Sequence, residues 1–113
     1  MTGIYLQRIE EAGTAVLTLM EGIEESEFSR SRLTQQEVCR QLDRVGLAAL
    51  DMSATTRAAL PEIDWKAWLA MAENATKDNQ RLWWVITELV PTTLIWLRVY
   101  RNQQPELFAA TTS

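Results

Sequence analysis

Residues 34–52 read TQQEVCRQLDRVGLAALDM, and this stretch decides the fold. Val38, Leu42, Val45, Ala49 and Met52 recur at steps of four, three, four and three. That spacing lines one side of an α-helix and suits packing against other helices in a bundle. Thr34 and Glu37 stand three apart at its head, the spacing of a capping box in which hydroxyl and carboxylate each satisfy an orphan backbone N–H. Gly46, beside Val45 on the stripe, would let another backbone approach closely.

The segments on either side repeat the pattern. Upstream, Tyr5, Ile9, Ala12, Val16, Leu19, Met20 and Ile23 fall on one helical stripe, with Gly13 inside it at a modest propensity cost. The polar residues Glu24 to Ser26, then Glu27-Phe28-Ser29-Arg30-Ser31-Arg32, read as a connector with solvated charges. Downstream, Ser53 is placed to cap a short helix that Pro61 ends, and Asp64 to cap another that begins Trp65-Lys66-Ala67-Trp68 and runs towards Ala72. A polar stretch, Glu73 to Gln80, precedes a last long helix from about Arg81 to Arg101. Leu82, Val85, Ile86, Leu89, Leu94, Leu97 and Val99 give that helix a wide apolar face, and Pro91 must kink or restart it. No stretch shows β alternation, an internal repeat or low complexity. The expectation is an all-α antiparallel helical bundle over residues 1–101, with 102–113 as a flexible tail.

Composition narrows the chemistry. The chain has 113 residues, 47% of them hydrophobic and 23% charged, enough for one self-sufficient core without disulfides or metal. It contains no histidine and a single cysteine, Cys39, so no Cys/His zinc set is available and no cofactor is implied. The net charge of −4 speaks against a nucleic-acid binder that works through bulk charge, although it leaves room for a local basic groove. Arginine outnumbers lysine, which occurs only at Lys66 and Lys77. Charge appears too early in residues 1–11 for a signal peptide, and the apolar stretch from Leu82 to Leu97 carries Glu88 and Pro91. That stretch falls short of spanning length, and the last helix lacks the basic polar face of a membrane-surface helix. A cytoplasmic protein without membrane contact is expected.

A family resemblance runs through the ordered set of fragments. Tyr5-Leu6 and Ile9 open it, Phe28 and Arg32-Leu33-Thr34-Gln35 follow, and then come Val38-Cys39-Arg40-Gln41-Leu42 and Val45-Gly46-Leu47-Ala48-Ala49. Pro61-Glu62-Ile63-Asp64-Trp65, Met71, Trp84-Val85-Ile86 and Leu89-Val90-Pro91 complete it. In this order and spacing, from about Ile4 to Tyr100, the chain resembles the HepT-like proteins, toxin-type members of the HEPN superfamily of helical ribonucleases. The resemblance implies a HEPN-type bundle that forms a homodimer with a cleft between protomers. It also implies metal-independent RNA cleavage by an Arg and a His with four residues between them. A Tyr two residues further on can be adenylylated by an MntA-type nucleotidyltransferase antitoxin.

This chain departs from the family where that chemistry resides. The family's Arg position falls on Ala72, its His position near Lys77, and no Tyr occurs before Trp83-Trp84. Leu47 stands where the family commonly has Glu, which implies an apolar or buried surface there. Metal-free RNA cleavage needs a proton acceptor for the 2′-hydroxyl and a donor for the leaving oxygen, or strong electrostatic stabilisation between them. Lysine is charged and a poor base unless burial lowers its pKa, and alanine supplies nothing. The degenerate segment Ala72, Glu73, Lys77, Asp78 and Arg81 is therefore expected to be catalytically silent. The rival reading is an active ribonuclease toxin that uses repositioned Lys77, Glu73 and Arg81. A third reading is a structural adaptor within a larger defence or mobile-element complex. Trp65 and Trp68, three apart, and the adjacent pair Trp83 and Trp84 are candidate interface anchors together with Leu47. The competing role for these tryptophans is stacking on RNA bases.

Overall fold

A computed structural model describes residues 2–73 and 79–107. All regular structure among these residues is helical. Helix α1 covers Thr2–Met20, α2 Glu25–Arg30, α3 Arg32–Asp51, α4 Ala54–Ala58 and α5 Trp65–Glu73. A final helical run comprises α6 (Asn79–Trp84), a π-helical turn (Val85–Leu89) and α7 (Val90–Gln103), with a 3₁₀ turn at Pro105–Leu107. Helix α1 packs along both α3 and α7, and α3 also packs on α5, so the bundle closes around one core.

The stripe in 34–52 does what its spacing requires. Val38, Leu42, Val45 and Ala49 are fully buried, and Met52 nearly so. The cap sits three residues earlier than the sequence reading placed it. Ser31 is the N-cap, its hydroxyl oxygen accepts from the Thr34 N–H at 3.3 Å, and the helix starts at Arg32. Thr34 is thus the third residue of the helix, within its first turn, and its own hydroxyl accepts from Ser31 at 2.8 Å. At the other end the Arg57 guanidinium donates to the carbonyls of Ala49 and Met52 at 2.7 and 2.6 Å. A cation there satisfies orphan carbonyls and opposes the negative end of the helix dipole.

The connector after α1 also corrects the sequence reading, because it folds. Gly22 takes φ +78°, a left-handed conformation that Cβ-bearing residues avoid, and this turns the chain out of α1. Glu24 and Glu27 then form a capping box for α2, with the Glu24 N–H donating to the Glu27 carboxylate at 3.1 Å. That short helix buries Phe28 completely. Gly13, unexpected in mid-helix by propensity, has a packing reason. A Cβ there would lie 3.1 Å from Leu94, so the glycine lets α7 settle against α1.

Ser53 and Asp64 cap α4 and α5 as expected, accepting from Thr56 N–H and Ala67 N–H at 3.1 Å each. Pro91 falls in the first turn of α7, where the last helical run resumes its α pattern, and the turn before it widens. Proline has no N–H to give the Thr87 carbonyl and its ring would press on that carbonyl. In the π turn the Val90 N–H instead reaches back five residues to Val85, and the Thr87 hydroxyl donates to the Trp83 carbonyl at 2.8 Å. After it the buried positions are Val90, Thr93, Leu97 and Tyr100, which continue the steps of three and four from Leu82, Ile86 and Leu89, while Leu94 and Val99, to either side of that stripe, are only half-buried.

Helix is therefore continuous from Gln80 to Gln103, with a mean hydropathy of 1.2 over its most apolar window. By length and composition it could cross a membrane, which removes the argument from length made on the sequence. Its buried side nonetheless closes the core. The helix also passes the expected domain end at residue 101, reaching Gln103, and residues 108–113 of the expected tail lie outside the described residues.

Candidate functional site

The residues expected to mark a degenerate active site are split by the fold. Ala72 and Glu73 form the last two positions of α5. Lys77 and Asp78 lie outside the described residues. Arg81 is exposed on α6, with its guanidinium carbon 5.0 Å from the Trp84 ring centroid, a cation–π distance.

The candidate interface residues also separate. Trp65 and Trp68 are core residues, 8% and 1% exposed, and this corrects the expectation that they anchor an interface. Their indole N–H groups explain how a bundle can bury them. The Trp65 Nε1–H donates to the Leu60 carbonyl at 2.9 Å, and the Trp68 Nε1–H to the Thr93 hydroxyl at 3.0 Å. A buried Trp with its one donor satisfied contributes area without a desolvation penalty. Trp83 is half-buried against Phe28, with ring centroids 5.9 Å apart. Trp84 is 38% exposed and Leu47 is 54% exposed, so these two keep a surface available to a partner.

Helix α3 presents a surface that mixes charge and apolar area on the side opposite its buried stripe. Leu33 is 80% exposed and Leu50 is 49% exposed, joining Leu47 on that side. An open groove of about 420 Å³ runs beside it, lined by Arg32, Gln35, Gln36, Cys39, Arg40, Asp43 and, from α6, Leu82. On the other flank a depression of about 300 Å³ is lined by Arg8 of α1 with Arg44, Leu47, Ala48 and Asp51.

Charge on this surface is fixed by geometry. Arg40 forks onto Glu37 through Nε at 3.0 Å and Nη2 at 2.8 Å. Gln41 adds a donor to the same carboxylate at 2.9 Å, and Arg44 donates to the Gln41 carbonyl oxygen at 2.9 Å. The hydrogen bonds from Arg40, then from Gln41, hold the Glu37 carboxyl below its usual range, and Glu37 in turn raises Arg40. Neither group can exchange a proton near neutrality, so this pair suits recognition and not acid–base work. No cluster of three or more Cys, Asp or Glu among the described residues is placed to hold a metal ion.

Sequence reasoning singled out Leu47 on this face but not Leu33, Gln36, Arg40, Asp43 or Leu50. The signal was present as a second periodic set on the same helix, hidden because it mixes leucines with charges. Comparison with family models, curated proteins and solved structures returns no match to this chain.

Proposed function

We propose that this chain is a HepT-like protein of HEPN type whose cleavage chemistry has been lost, and that it works as a homodimer that holds a protein partner. The observation that carries the reading is positional. Across fragments spaced as in the family, the position of the catalytic Arg is Ala72, at the end of α5, and no histidine exists anywhere in the chain to move a proton. The described surface supports a binding role, since Leu33, Leu47 and Leu50 are exposed on the helix that carries a charge pair ionised near neutrality, and Trp84 is exposed on α6. The resemblance points to a partner of the MntA-type nucleotidyltransferase class, although the tyrosine that such a partner would modify is missing from its motif position.

Two measurements test the reading. Single-stranded RNA incubated with the purified protein, with and without chelator, is expected to stay intact. Time-dependent cleavage that Lys77→Ala abolishes would overturn it in favour of an active ribonuclease. Light scattering is expected to give the mass of two chains; a monomer at every concentration would remove the dimer.

A further inference from the structure

We infer that α3 forms the two-fold seam between two copies of this chain, packing antiparallel on the partner's α3 about a point midway between Arg40 and Asp43. This deepens the dimeric reading above by naming its surface, and it stands on observations of α3 alone.

Leu33, Gln36, Arg40, Asp43, Leu47 and Leu50 follow one another at steps of three, four, three, four and three. This is the a/d alternation of a coiled-coil seam. The helix already spends Val38, Leu42, Val45 and Ala49 on its own core, and these occupy its opposite side. The leucines of the second set are exposed, on the side of α3 opposite the one that packs into the bundle. Three of the five large apolar side chains exposed among the described residues belong to it.

The order of residue types selects the occupant and its direction. In an antiparallel pair, a positions layer against d positions, and here the six residues are arranged symmetrically about the Arg40–Asp43 midpoint. Leu33 therefore meets Leu50 of the partner subunit, Leu47 meets Gln36 of the partner subunit, and Arg40 meets Asp43 of the partner subunit. Every layer occurs twice, as an isologous two-fold interface demands. A parallel pair in register would instead set arginine on arginine and aspartate on aspartate, which like-charge repulsion disfavours.

The flanks agree with the centre. On one side of the seam Glu37 falls near the level of the partner's Arg44, again of opposite charge. Arg40 and Asp43 both have contacts within their own chain, and the cross-dyad pair adds to them. A guanidinium has five donors, of which the fork onto Glu37 uses two, and a carboxylate accepts at about four sites. The seam spans about 25 Å from Leu33 to Leu50 at the rise of an α-helix. The grooves beside it, one reaching Leu82 and one reaching Arg8, leave room for the partner's flanking side chains. Charges at the centre with leucines at both ends make a seam that fixes register at some expense of affinity.

The experiment is a charge-swap pair read by sedimentation over a wide concentration range. Asp43→Arg alone puts four arginines around the dyad, and Arg40→Asp alone puts four aspartates there. Each is expected to weaken self-association about a hundredfold, by the repulsion of like charges across an interface. Mixed one to one, the two variants are expected to form a heterodimer about as tight as the native dimer, because both cross-dyad layers become complementary again. Far-UV circular dichroism checks that each variant keeps its helices. Should either unfold, Leu33→Glu replaces it, at a position 80% exposed with no role in the core, and the same loss of self-association is expected. Native-like dimers of Asp43→Arg, or folded variants that fail to associate when mixed, would overturn the seam while leaving a dimer through another surface standing. A native chain that is monomeric throughout would overturn both the seam and the dimeric reading.

Discussion

Helix α3 and the helical run from α6 through α7 are both long and rich in apolar residues, yet they translate sequence into burial differently. In α3 nothing interrupts the hydrogen-bond ladder, so one register holds from Arg32 to Asp51 and the positions spaced by three and four stay on the face where they start. Two sets coexist on it, one packed into the core and one turned outward. In the C-terminal run the turn before Pro91 widens, and the buried stripe beyond it includes Thr93 and Tyr100, while the apolar Leu94 and Val99 are only half-buried. Apolar residue type is therefore a sufficient guide to burial in α3 and an insufficient one in α7, where a threonine is buried and two aliphatic residues are only half-buried.

The largest effect expected from this contrast sets the core against the outer face. Trp68→Ala removes a fully buried indole and should lower stability by about 3–5 kcal/mol, as large aromatic-to-alanine changes in cores do. Leu47→Ala on α3, measured in dilute solution where self-association is negligible, should stay within about 0.5 kcal/mol of the native chain. Urea unfolding followed by circular dichroism checks both. Comparable losses at the two positions would mean that the outward face of α3 is part of the folded core.

A finer effect probes the buried polar position of α7. Thr93 lies on the buried stripe of α7, and its hydroxyl accepts the Trp68 indole N–H. Thr93→Val keeps the shape and leaves that buried donor without its acceptor, which should cost about 1–3 kcal/mol. The same change at Thr92, one residue away and exposed, should be close to neutral. Equal effects at the two threonines would contradict the register.

How much the sequence could show follows from these residues. The helical class, the inward stripe of α3 and the caps at Ser53 and Asp64 are local properties, carried by spacing and by a single side chain at each helix start. Helix α2 escaped because the charges that suggest a solvated connector are the same glutamates that cap it. Trp65 and Trp68 were misplaced because their burial depends on acceptors at Leu60 and Thr93, and the second lies 25 residues away on another helix. The outward set on α3 escaped because a search for apolar repeats passes over Arg40 and Asp43. Of the expected active-site segment, Lys77 and Asp78 lie outside the described residues, so its reading rests on sequence.

Cap placement gives a smaller effect that bears on where α3 begins. The Ser31 hydroxyl oxygen accepts from the Thr34 N–H, so Ser31→Ala should cost about 1 kcal/mol, the usual worth of such a cap. Thr34→Ala leaves that backbone bond intact and should cost less. The reverse order, measured by thermal unfolding of both variants, would return the cap to Thr34.

The smallest expected effect concerns the charge pair on the outer face of α3. Hydrogen bonds from Arg40 and then Gln41 depress the Glu37 carboxyl in the folded chain. A depressed folded pKa means that the carboxylate favours the folded state above its unfolded pKa, and that this contribution is lost as the pH falls through the lower, folded value. Because Glu37 is solvent-facing and screened, the effect on stability should be slight, and the titration itself is the sensitive readout. Followed by NMR at its side-chain carboxyl carbon, Glu37 should titrate below the ordinary carboxylate range, and Arg40→Ala should move it back towards that range. Both partners of the fork lie on one helix, so the depressed titration should persist on dilution to the monomer. If it vanished on dilution instead, the shift would belong to contacts between two chains, and the fork to Arg40 would not be its cause.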